Sequence, residues 1–226
     1  MLADRALPKQ VVLFGTGGFA EVVDFYLSHD SDFRVVAFSE TSGSIKGSEF
    51  RGRPVVAFEK VEEIFPPDSH VMFIAMGYRK LNCLRQEFFD RAKAKGYGLL
   101  SYICSKATHW GDTQMGENVF IFEDNTIQPF VSIGDNTILW SGNHIGHHSA
   151  IGPHSFVSSH VVISGHCRIG SHCFIGVNAT ISEAVSIGDR NIIGPGALIQ
   201  KDTGPDEVYL AERTPKFPKD SSQFMR

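Results

Sequence analysis

Seven of the ten histidines lie between His144 and His172, in a segment also rich in glycine. In LWSGNHIGHHSAIG, Gly142 and Gly146 thin the chain around His144, His147 and His148, with Asn143 alongside. A neutral imidazole titrates near neutral pH, so a held one can take the proton of an amine or alcohol as a bond forms. Gly165 follows His147 by 18 residues. A glycine allows close approach to its backbone N–H, which can bind the oxygen of a carbonyl under attack. Base and oxyanion donor side by side would suit direct acyl transfer, with His148, His144 and Asn143 as supporting groups. The competing reading is a set of polar corner residues without chemistry.

Whether His147 and Gly165 are neighbours depends on the element that carries them. Aliphatic residues recur every sixth position from Met115 to Ile199 without a slip, and glycine often follows. The residues two places earlier, such as Ser149, Cys167, Cys173 and Ala179, are compact and would share the inward face of a short strand. Three such hexads close one triangular coil, which buries its apolar layer only against the next coil. The ladder predicts a parallel β-helix of about five coils over residues 106–200, roughly 24 Å long. A sandwich of short strands would instead show period-two runs between irregular loops.

On this ruler His148, His154, His160, His166 and His172 share a corner position, with His148 over His166 and His154 over His172. Zinc can take several histidines, but the in-phase ones divide among corners and acidic residues are scarce between Asp135 and Glu183. No metal requirement is expected. Cys167 and Cys173 have inward phase, which argues against a thiol nucleophile, and no CxxC pair occurs among the four cysteines.

Residues 1–105 follow a different pattern, of apolar runs alternating with amphipathic segments, and predict a small parallel α/β domain. In VVLFGTGGFAEVV, Gly15, Gly17 and Gly18 stand between a strand and a helix, where backbone N–H groups can meet a phosphate. GTGGFA is only part of the dinucleotide fingerprint, and a plain structural turn is the alternative. Glu40 ends the next strand and could accept a sugar hydroxyl. Gly77 and Tyr78 lie beyond another strand end, where a base could stack. The domain is too short for two mononucleotide halves, which disfavours NAD. Residues 201–226 form a tail.

Hydrophobic residues make up 42% of the 226 positions, enough for a core, while 21 basic and 25 acidic residues give a net charge of −4. Without a basic run, nucleic-acid binding and a polybasic membrane anchor are disfavoured. No long apolar stretch or signal-type start is visible, so a cytoplasmic protein without membrane insertion is expected.

The coil pattern and GNHIGHHSAIG resemble the left-handed β-helix acyltransferases of the hexapeptide-repeat class. With the VVLFGTGGFAEVV segment, the chain is similar to the bacterial sugar acetyltransferases, which include sialic acid O-acetyltransferases and N-acetyltransferases of nucleotide-linked 4-amino sugars. The resemblance covers residues 10–200. It implies a homotrimer with active sites between subunits, acetyl-CoA as co-substrate, and transfer to a nucleotide-linked amino sugar in surface-glycan synthesis. The family's catalytic histidine falls on His147, and the amide meeting the thioester carbonyl on Gly165. The carboxylate that precedes the histidine in many members is replaced by Gly146, and His148 follows it. A second family histidine, near the acceptor, corresponds to Phe156, with His154 two residues earlier. In the tail, AERTPKF replaces the usual Gly-Asn-Pro-Ala motif, leaving Lys201 and Lys216 as candidates for the CoA phosphates. Sugar O-acetylation and a non-catalytic interaction β-helix are the alternatives.

Overall fold

The computed structural model of the protein describes residues 8–111, 113–218 and 220–224. Strands β1 (Gln10–Phe14), β2 (Arg34–Glu40), β3 (Glu49–Phe50), β4 (Arg53–Ala57) and β5 (His70–Ile74) form one sheet in the order β3-β4-β2-β1-β5. Helix α1 (Gly18–Asp30) joins β1 to β2, α2 (Val61–Ile64) precedes β5, and α3 (Cys83–Ala94) follows it. Residues Val11–Phe14 and Val71–Ile74 are buried throughout, as parallel strands covered on both faces should be. The sheet is parallel as expected except at one edge, where the two-residue β3 runs antiparallel to β4. The cause is local: Arg51 and Gly52 both have positive φ (51° and 72°), which makes a tight hairpin turn.

Beyond this domain, two-residue strands repeat every 18 positions on three walls of parallel strands, a left-handed β-helix. The first wall runs from Tyr102–Ile103 to Val208–Tyr209, the second from Thr126–Ile127 to Leu198–Ile199, and the third from Gln114–Met115 to Ser186–Ile187. Ile127, Ile145, Ile163 and Ile181 are fully buried on the second wall, with Cys167, Cys173 and Ala179 among the interior residues. The first wall reaches past the periodic segment at both ends. Tyr102–Ile103 pairs with Phe120–Ile121, and Val208–Tyr209 pairs with Ile192–Ile193. The last step, from Ile193 to Tyr209, is two residues shorter than a full coil, so the period ends before the wall does.

Each corner turns on one residue in the left-handed region, three places after the aliphatic one. His148, His154, His160, His166 and His172 hold φ values between 57° and 60°, and Asn118, Asn136 and Asn178 fill equivalent places. Asn, Asp and His enter this region more readily than most side chains. The shared phase of these histidines therefore has a backbone cause that involves no chemistry.

The outer face of the first wall is aromatic. Phe120, Phe122, Trp140 and Phe156 stand there, and α1 lays Phe19, Val22 and Tyr26 against this cluster. The Tyr26 and Phe122 rings meet edge-on at 4.9 Å. From α3, the fully buried Arg85 donates to the carbonyl oxygens of Asn136 (2.9 Å), Ser155 (3.1 Å) and Gly77 (3.1 Å), tying helix, coil and the loop after β5 together. With the α/β domain on the first wall, the corner between the second and third walls is the opposite edge of the prism. His147 and Gly165 lie on that edge.

Candidate active site

His147 and Gly165 occupy the same corner on successive coils, set by the Ile145↔Ile163 register. The imidazole packs on the glycine: a Cβ at position 165 would lie 2.8 Å from His147 Cε1 and 3.0 Å from Nε2. Gln128 Oε1 accepts the His147 backbone N–H at 2.9 Å, and the His147 carbonyl accepts from His166 N–H at 2.9 Å, which fixes the corner. The Gly165 N–H donates to no protein group among the described residues, unlike that of Ser171 one hexad on, which binds Asp189 Oδ1 at 2.7 Å. A free donor beside an imidazole is the pairing that stabilises an oxyanion next to a base.

His148 turns its Nδ1 to within 3.1 Å of His147 Nδ1 and stacks on His166, with ring centroids 4.9 Å apart. His144 stands on the outer face of the second wall and makes no ring contact with His147. Asn143 requires a correction. It is buried inside the coil, where its Nδ2 donates to Asn125 Oδ1 (3.0 Å) and its Oδ1 accepts from Val161 N–H (2.8 Å). Position 143 lies two before Ile145, an inward phase, so its amide satisfies the coil backbone and cannot reach a substrate.

A second cavity, of about 370 Å3, opens where the α/β domain meets the first wall. Gly18 and Phe19 at the start of α1, Gly77 and Tyr78 after β5, and Trp140 and Phe156 on the wall line it. Tyr78 is half exposed and packs its ring against Phe156 at 5.0 Å and Phe174 at 4.6 Å. Gly15 has φ of 121°, and a Cβ there would meet the Ala75 carbonyl oxygen at 2.8 Å, so this turn demands glycine. Gly17 and Gly18 are open around their Cα atoms. The first turn of α1 offers backbone N–H groups without a side-chain cap, the usual setting for an anion.

Glu40 supports this turn: its Oε1 accepts from Thr16 N–H (2.9 Å) and Thr16 Oγ1 (3.0 Å). His154 does not join Phe156 in the cavity. It lies under α3 beside Phe89 and within 3.0 Å of Asn136 Nδ2, and burial pushes its pKa down to about 4, with His172 and Arg85 adding to the shift. Lys201 is exposed two coils beyond Gly165 on the same edge, following the Ile163↔Ile181↔Ile199 register. Lys216 is exposed in the tail, away from any strand. Phe19 and Trp140 fall within GTGGFA and LWSGNHIGHHSAIG without being singled out there, and Ser158 lies outside both. The period holds a signal for the last two, since both follow an aliphatic residue of the first wall and lie 18 positions apart.

Residues 112–147 and 166–201 match the family model for bacterial transferase hexapeptide (six repeats). These two segments carry the hexapeptide repeat. The fold follows two solved structures over most of their length. PerB from Caulobacter crescentus, in complex with CoA and GDP-perosamine, is 26% identical with a TM-score of 0.79, covering 88% of this chain and 92% of that one. The acetyltransferase domain of PglB from Neisseria gonorrhoeae is 21% identical, also with a TM-score of 0.79, covering 88% and 95%. No curated protein matches the sequence.

Proposed function

We propose that the protein is an acetyl-CoA-dependent N-acetyltransferase acting on a nucleotide-linked amino sugar in bacterial glycan synthesis. The observation that carries this reading is the His147 ring packed on Gly165, whose N–H has no protein partner among the described residues, in a chain that parallels the CoA- and GDP-perosamine-bound PerB over 88% of its length. The thioester carbonyl sits at Gly165, whose amide takes up charge as the carbonyl oxygen becomes an oxyanion. The sugar amine attacks the carbonyl carbon, a C–N bond forms, and His147 takes the amine proton. The C–S bond then breaks and the proton passes to the departing CoA thiolate.

His148 stands in for the carboxylate that orients the base in relatives. With His147 Nδ1–H donating to His148 Nδ1, the lone pair is left on Nε2, beside Gly165. Direct transfer is favoured because Cys167 and Cys173 are sealed inside the coil, and burial pushes the Cys173 thiol up to about 11. Lys201, further along the edge, is suited to a CoA phosphate. The nucleotide sugar takes the aromatic cavity, with its phosphates at the α1 N-terminus and its base against Tyr78.

Within one chain, that cavity and His147 lie on different sides of the prism. This separation supports a homotrimer in which the cavity of one subunit serves the His147 edge of its neighbour. No described helix is long and apolar enough to cross a membrane, and reliance on acetyl-CoA favours the cytoplasm. The test is CoA release from acetyl-CoA with UDP-, GDP- and dTDP-linked 4-amino sugars, set against their 4-hydroxy counterparts. Turnover is expected with an amino sugar only, falling about 10²- to 10⁴-fold in His147→Ala. Unchanged turnover in that variant removes His147 from the mechanism.

A further inference from the structure

The edge that carries His147 also gathers three imidazoles. One ring nitrogen from each of His147, His148 and His166 lies within 4.8 Å of the other two. The Nδ1 atoms of His147 and His148 are 3.1 Å apart, and the His147 and His166 rings stand perpendicular with centroids 5.0 Å apart. Two imidazoles on one tetrahedral zinc ion, each about 2.0–2.1 Å from the metal, place their nitrogens about 3.3 Å apart. The first pair is thus already at chelating distance. His166 is exposed and needs a shift of roughly 1.5 Å to complete a three-histidine set with an open fourth position. Among the described residues no other hydrogen bond engages these ring nitrogens. Arg168, the cation bound to this corner, donates to the His148 carbonyl oxygen (2.7 Å) and leaves the imidazoles free.

We propose that His147, His148 and His166 form a site for a transition-metal ion of the zinc class, and that filling it switches the transferase off. An ion on His147 Nδ1 leaves the ring's proton on Nε2, so the ring can no longer accept the amine proton there, and its bound water occupies the groove before Gly165. The inhibitory half of this inference rests on the role proposed for His147; the binding half does not. The ion acts as an inhibitor, because its first ligand is the base itself.

The test titrates tag-free, metal-free wild-type protein and the His166→Asn variant with Zn2+ against a chromophoric chelator, and measures acetyl transfer in parallel. Asparagine is compatible with the fold, since Asn118, Asn136 and Asn178 hold the same left-handed corner conformation. Loss of even an outer partner of a metal ligand costs about 10- to 100-fold in affinity, and loss of a ligand should cost no less. The expectation is one Zn2+ per wild-type chain, weakened by that factor in the variant. Zinc should inhibit wild-type transfer reversibly, the variant should need correspondingly more, and the metal-free rates should agree. Equal zinc affinity in the two proteins, or no binding below millimolar zinc, overturns the site. Zinc binding that leaves transfer untouched overturns the switch. Zinc binding as expected, in a protein that acetylates no nucleotide amino sugar, supports the site and overturns the activity reading alone.

Discussion

His147 lies so close over Gly165 that a methyl group on the glycine would stand 2.8 Å from the ring. The Gly165 backbone is outside the left-handed region, so the constraint comes from the imidazole and not from strain. Gly165→Ala should therefore fold normally but push the base aside. Displacing a reacting group by about 1 Å can cost on the order of 100-fold in rate. Thermal unfolding and steady-state kinetics together check this: Tm should hold while kcat falls. Wild-type kcat in the Gly165→Ala variant would show that the contact is incidental.

Tyr78 reports on the other half of the reaction. Its ring closes one side of the cavity against Phe156 and Phe174, far from the His147 edge of the same chain. Tyr78→Ala should raise KM for the nucleotide sugar by about tenfold, as expected for loss of one base-stacking contact of roughly 1–3 kcal/mol. KM for acetyl-CoA should stay unchanged. Equal rises in both constants would argue that the cavity serves the coenzyme.

His154 makes the fold sensitive to acid. Its pKa is pushed down to about 4 by burial first, and His172 is shifted the same way. A histidine whose folded pKa lies below its unfolded value of about 6.5 binds more protons when unfolded, so its contribution is complete above that value. Stability should fall as pH drops from about 6.5 towards 4, by about 1–2 kcal/mol after allowing for partial solvent exposure. His154→Asn, which restores the residue found at positions 118 and 136 of the same corner, should flatten that slope in denaturant unfolding measured across the range. A variant with the wild-type slope would place the acid sensitivity elsewhere.

Much of the fold was legible because the coil is a local rule repeated. The six-residue period gave the walls and the inward phase of Cys167 and Cys173, and it laid Gly165 one coil from His147. The same ruler also marks Asn143 as inward, two places before Ile145, although its proximity to His144 and His147 suggests a supporting role. Glu40 was legible as the end of a strand, but not as the anchor of Thr16, because that bond joins segments without a shared period. His154 sits close to Phe156 in sequence, yet the corner between them sends one side chain under α3 and the other into the cavity.

The amino-acid sequence alone determined the triangular coil, its interior and the stacking of positions 18 residues apart, since backbone pairing at a fixed spacing leaves no other register. Only the tertiary structure decided that the aromatic first wall carries the α/β domain, and that this leaves His147 on the opposite edge. The period already stacks His148 over His166, and the tertiary structure alone brought the His147 ring against both. The physical reason is that a strand period fixes which face a side chain leaves from, whereas domain docking and rotamer choice depend on contacts between segments that no repeat relates.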